Sequence, residues 1–111
     1  MSKKELCEEI YTFAIKHNPC ELIYIFKRFI DKEDYNEALL MANGQKDWLI
    51  WFGLSKNLMD DVINFCGGVD RYKLYYKNGE LFVDRKSRYE YKKWNKKGKL
   101  INDIKGHKQM I

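Results

Sequence analysis

Catalytic chemistry in this chain would have to be assembled from few parts, since only two histidines are present. His17-Asn18-Pro19-Cys20 offers an imidazole and a thiol, but Asn18 and Pro19 read as a helix start, and a zinc ion would need two further ligands that are hard to find nearby. No metal site is expected. His107 lies in a C-terminal tail, 105–111, and could act as a base only if that tail docks. The carboxylate pairs Glu8-Glu9, Glu33-Asp34 and Asp60-Asp61 fall in helical patterns, where neighbouring side chains diverge by about 100° rather than converge. Asp60 and Asp61 could join Asp47 in the acidic grouping of a metal-dependent nuclease, but the flanking residues match no such motif. Phosphate-binding glycine loops, Cys-x-x-Cys, His-Glu-x-x-His and Gly-x-Ser-x-Gly are all absent. The expectation is therefore no catalytic residues, no cofactor and no enzyme, and binding is the default role.

Binding chemistry is concentrated near the C-terminal end. The chain carries net +5, yet residues 1–70 hold 8 basic and 12 acidic side chains, net −4, and residues 71–111 hold 13 basic and 4 acidic, net +9. Arg85, Lys86, Arg88, Lys92, Lys93, Lys96, Lys97 and Lys99 stand against the single Glu90 between them. Such a field attracts phosphate backbones or an acidic protein face, though it also serves simply as a solvated surface. Tyr89, Tyr91 and Trp94 are interleaved with these cations, the mixture used on nucleic acids, where cations release counterions and aromatic planes stack on bases. Alternation puts Tyr89 and Tyr91 on the face opposite Trp94, so at least one of these three aromatics should pack on the helices.

Those residues are positioned by two kinds of element. Ser2-Lys3-Lys4-Glu5 has capping-box spacing and predicts a helix carrying Leu6, Ile10, Phe13 and Ala14 on one stripe. Asn18-Pro19 opens a second helix to about Ile30, apolar on nearly every side and so the expected centre of the core. A third is expected over Glu33 to Ala42, with Asn43-Gly44 as its left-handed C-cap. Trp48 and Trp51 lie in the apolar run Trp48 to Leu54 and are either core residues or anchors for a protein partner, the core reading being favoured. Ser55 caps a last helix that Gly67-Gly68 stops.

Beyond Gly68 the period changes to alternation. Asn78-Gly79 predicts a two-residue type I′ hairpin pairing Lys77 with Glu80, Tyr76 with Leu81, Tyr75 with Phe82, Leu74 with Val83 and Lys73 with Asp84, the last as an ion pair. Shifting the chain by nineteen residues lays 73–84 on 92–103, with identities at Lys73/Lys92, Lys77/Lys96, Gly79/Gly98, Leu81/Leu100 and Asp84/Asp103. The second copy predicts a turn at Lys97-Gly98, Trp94 opposite Ile101 and Lys92 opposite Asp103. The phrases Tyr75-Tyr76-Lys77-Asn78-Gly79-Glu80-Leu81 and Lys96-Lys97-Gly98-Lys99-Leu100 resemble the hairpins of the second MORN-type repeat, which occurs in many bacterial proteins, including a family named as antitoxins. The resemblance covers about thirty residues and implies hairpins.

One α+β domain over 1–111 is expected: a helical half of about five short helices, 1–68, packed on a four-stranded antiparallel meander of two hairpins, 69–104, followed by the tail. At 111 residues with 45% hydrophobic side chains a core can be buried, and no apolar run approaches the roughly 20 residues of a membrane span. The early carboxylates argue against a secretory signal, and three cysteines cannot all pair, so a reduced, cytoplasmic protein is expected. Small size and a Lys-, Asn-, Ile- and Tyr-rich composition suggest phage or mobile-element origin. The leading expectation is a non-catalytic, anti-defence type inhibitor of a host protein or nucleoprotein complex that handles nucleic acid. Its basic hairpin surface and its acidic helical face would both take part. A direct DNA or RNA binder comes second and an antitoxin-like protein third.

Overall fold

The computed structural model describes residues 1–17, 23–87 and 90–105, the side chains of Glu90 and Lys105 excepted. Five helices, α1 (Lys3–His17), α2 (Ile23–Asp31), α3 (Tyr35–Gly44), α4 (Lys46–Trp51) and α5 (Lys56–Cys66), precede four strands. The strands β1 (Tyr72–Lys77), β2 (Glu80–Lys86), β3 (Glu90–Asn95) and β4 (Leu100–Lys105) form one antiparallel sheet in the order β1-β2-β3-β4. This is the α+β architecture read from the sequence. The Asn18-Pro19 helix start, Cys20, Arg88, Tyr89, His107 and the tail beyond Lys105 lie outside the described residues.

Local chemistry sets the helix ends. Ser2 Oγ accepts from the Glu5 N–H at 3.1 Å while Glu5 Oε1 accepts from the Ser2 N–H at 3.1 Å, a complete capping box. Ser55 Oγ accepts from the Leu58 N–H, and Gly67 closes α5 at φ 59°. The third helix starts two residues later than expected because Glu33, at φ 59°, terminates α2: its N–H bonds Ile30 and the Asp34 N–H bonds Phe29 in a Schellman arrangement. Asp34 then caps α3 by accepting from the Glu37 N–H.

The hub of the core is α3 rather than α2, for α3 packs on α1, α2, α5 and β1. Its Ala38, Ala42 and Gly44 are small enough to let neighbours approach, whereas α2 turns Tyr24 to solvent and buries Ile23, Ile25 and Phe26. Gly44 is not a left-handed cap, since α3 includes it and Gln45 follows at φ −109°. A Cβ at Gly44 would lie 2.5 Å from the Tyr72 carbonyl oxygen, so the glycine is there for close passage of β1. Asn43, also buried, donates from Nδ2 to the Val69 carbonyl and ties α3 to the approach to the sheet.

The first hairpin has the expected register from Lys73↔Asp84 to Lys77↔Glu80, around Asn78 at φ 53° and Gly79 at φ 78°. The second keeps Lys92↔Asp103 but pairs Trp94 with Leu100, not Ile101. The reason is the turn. Lysines resist positive φ, so Lys96 and Lys97 make an ordinary turn closed by Gly98 N–H to the Asn95 carbonyl, and Gly98 alone goes left-handed at φ 74°. Asn95 Oδ1 accepts from the Lys97 and Lys99 N–H groups, Asn95 pairs with Lys99, and a register irregularity between Lys93 and Trp94 restores the earlier pairing.

Candidate nucleic-acid interface

Strand alternation divides the basic residues between two faces of the sheet. Pairing places Tyr72, Leu74, Val83, Arg85, Lys92, Trp94 and Leu100 on one side. That side meets the helices: Tyr72, Val83 and Trp94 are buried, and the Tyr72 and Trp94 rings stack at 6.3 Å. Trp94 is thus a core residue, 7% exposed, and no part of the open face.

Arg85 is likewise engaged from within. Its Nε lies 2.7 Å from Glu37 Oε2 and its Nη2 donates to Oε1 at 3.2 Å, while the Tyr72 hydroxyl donates to the same carboxylate. Burial works against charge on Glu37, but the bonds from Arg85 and Tyr72 outweigh it and hold the carboxyl below its ordinary value. Tyr72 moves the other way, raised first by burial and then by Glu37. The missed residue is Glu37, 48 positions from Arg85 and without any local signature.

The opposite side carries Lys73, Tyr75 and Lys77 of β1, Phe82, Asp84 and Lys86 of β2, and Tyr91 and Lys93 of β3. None of these side chains is buried. Asp84 organises them, accepting from the Tyr75 hydroxyl at 3.2 Å and the Tyr91 hydroxyl at 3.1 Å. The expected Lys73–Asp84 ion pair is therefore a backbone pairing whose carboxylate serves the two phenols. Burial, followed by Asp84, pushes Tyr91 up to about 12 and keeps it a neutral donor. The Lys93 ammonium lies 4.5 Å from the Phe82 ring centre and 5.6 Å from that of Tyr75, and Lys86 lies 5.7 Å from that of Tyr91. Lys96, Lys97 and Lys99 are exposed at the second hairpin turn. Both turns lie at one end of the meander, so Lys77 joins these three along that rim.

Sequence reasoning named Lys86, Lys93 and the turn lysines but not Tyr75 and Phe82, whose parity with Lys93 follows from the pairing of β2 with β3. The two tryptophans of α4 also separate: Trp48 is half-buried against Phe52 at 4.6 Å, and Trp51 is 79% exposed. Glu5, Glu8 and Glu9 of α1 line a groove together with Phe13, Leu54 and Leu58, and Lys16 and His17 line it too. Among the described residues, no group of three or more His, Cys, Asp or Glu converges as metal ligands do, and no helix is long and apolar enough to cross a membrane.

No family model, curated protein or solved structure matches the chain. The likeness of its hairpins to the MORN-type repeat stays at the level of turn and strand pattern.

Proposed function

We propose that this chain is a non-catalytic binding protein that takes single-stranded nucleic acid, free or bared within a host nucleic-acid-handling complex, on the open face of its sheet. The observation that carries the reading is the interleaving of Tyr75, Phe82 and Tyr91 with Lys73, Lys86 and Lys93 on a face where none of these side chains is buried. Lys86 and Lys93 rest over the rings, and lifting one off at an exposed site costs about 0.5–1 kcal/mol. A base stacked in its place returns about 1–3 kcal/mol, and the displaced ammonium gains a phosphate, so exchange favours the strand.

A gel shift with single-stranded DNA and RNA at low salt tests this. Binding should weaken steeply with salt, and alanine at Lys73, Lys86 and Lys93 together should lower the logarithmic salt slope by about one per lysine removed. Absence of any shift at low salt, or unchanged binding by the folded triple variant, rejects it.

The exposed Trp51, beside Ile50 at 52%, favours a second reading, in which the chain inhibits a host complex by docking on its protein surface. A pull-down from host lysate then returns one stoichiometric partner that Trp51→Ala fails to capture and the lysine variant retains.

A further inference from the structure

A separate cleft lies on the other side of the sheet, between α2 and the covered face, with a volume of about 360 Å³. We infer that it binds a nucleoside monophosphate unit. Its apolar walls are Phe29, Trp94 and Leu100, flat and hydrocarbon surfaces suited to a base. Besides Arg85, its cations come from the end of α2 and from β3. Arg28 lies in the last turn of α2, Lys32 follows one turn on, and Lys92 reaches in from β3.

The two carboxylates that also line the cleft are already used. Asp34 Oδ1 caps α3 by accepting from the Glu37 N–H at 3.3 Å, and Glu37 is held by Arg85 and Tyr72. Arg28, Lys32, Arg85 and Lys92 against Asp34 and Glu37 leave the cleft net positive, four cations to two carboxylates. Arg28 is steadied by one bond, Nη1 to the Gly98 carbonyl at 3.2 Å, which uses one of its five N–H donors. The volume falls at the small end of ligand sites, where a single nucleotide fits and a longer strand does not. A bare phosphate would leave the apolar walls unused. The cleft is separate from the open face, since among the described cationic and aromatic residues of the basic segment Arg85, Lys92 and Trp94 lie on this side and Lys86, Tyr91 and Lys93 on the other.

The test follows the Trp94 indole N–H signal of the full chain by NMR, assigned with Trp94→Phe, during titration with AMP, UMP, inorganic phosphate, adenosine and a 5′-phosphorylated oligonucleotide. Saturable shifts with the monophosphates are expected, about tenfold weaker in Lys32→Ala and Lys92→Ala, the loss set by one charge-assisted contact. Lys32 is exposed beyond the end of α2, so its variant keeps the fold. Lys86→Ala, altered on the open face, should bind the monophosphates as the parent does. Stronger shifts with the oligonucleotide than with AMP support the site and identify a strand end as the source; the reverse supports it and identifies a free nucleotide. No saturable shift up to about 10 mM, equal binding of inorganic phosphate, or unchanged binding by both lysine variants overturns it. Each of those results leaves the gel-shift outcome for the open face intact.

Discussion

Arg85 of β2 and Glu37 of α3 face each other across the helix–sheet junction in a two-point contact, Nε to Oε2 at 2.7 Å and Nη2 to Oε1 at 3.2 Å, with side chains only 11% and 17% exposed. One of the cations expected to meet a partner is thereby built into the molecule. The contact has a stability consequence. Arg85→Ala leaves an unpaired, largely buried carboxylate at the junction and should destabilise the fold by about 3 kcal/mol, read as a lower urea midpoint. Replacing both residues by apolar ones of similar size, Arg85→Met with Glu37→Leu, should recover most of that loss, because the lone charge is then gone. A double variant as unstable as Arg85→Ala would show that the charges themselves hold the layers together.

The same junction makes stability depend on pH at both ends. Burial opposes charge on Glu37, yet its hydrogen bonds leave its folded pKa below the ordinary 4.5. The folded state therefore binds the proton less readily than the unfolded chain, and the stabilisation is complete above 4.5 and lost as pH falls through the lowered value. Tyr72 is raised above the ordinary 10.0, chiefly by burial, so the unfolded phenol ionises first and stability falls as pH rises past 10. Urea midpoints measured from about pH 3 to about pH 11 should form a plateau with two shoulders. Glu37→Gln should lessen the acid shoulder and Tyr72→Phe the alkaline one, leaving the parts that the lowered Glu5 and the raised Tyr91 contribute.

How far each feature was legible depended on how local its cause is. Asn78-Gly79 fixes a turn within two residues, so the whole register of the first hairpin followed from it. Ser2 with Glu5, and Ser55 before α5, are contacts three residues apart and were legible for the same reason. The second hairpin slipped by one at Trp94 because Lys96-Lys97 cannot take the geometry that Asn-Gly takes, a difference that the nineteen-residue self-alignment hides. Parity put Trp94 opposite Tyr91, but only the packing of the helices decides which side is wet. The partner of Arg85 and the meeting of Arg28 with Lys92 are tertiary, joining residues that share no pattern.

Gly44 gives a test in which the usual rule changes sign. Glycine to alanine inside an exposed helix ordinarily gains about 1 kcal/mol. Here the new methyl would stand 2.5 Å from the Tyr72 carbonyl oxygen and 2.6 Å from its Cβ, so α3 and β1 would have to separate. Gly44→Ala should destabilise by about 1–3 kcal/mol, the cost of overpacking, and thermal unfolding measures it. A gain would mean that β1 passes α3 at a greater distance than the structure has it.

The two faces of α4 can be separated by what their removal costs. Leu49 is 2% exposed and packs in the core, so Leu49→Ala leaves a cavity and should cost about 2–5 kcal/mol. Trp51 has the larger side chain but is 79% exposed, and its ring touches Phe52 edge-on at 4.9 Å. Trp51→Ala should therefore cost no more than about 1 kcal/mol, the worth of that one aromatic contact. The comparison decides whether Trp51 is available to a partner, for a loss as large as that of Leu49 would place the indole inside the fold. With the small loss, any binding defect of Trp51→Ala belongs to the interface and not to unfolding, which is what the pull-down needs in order to be interpreted.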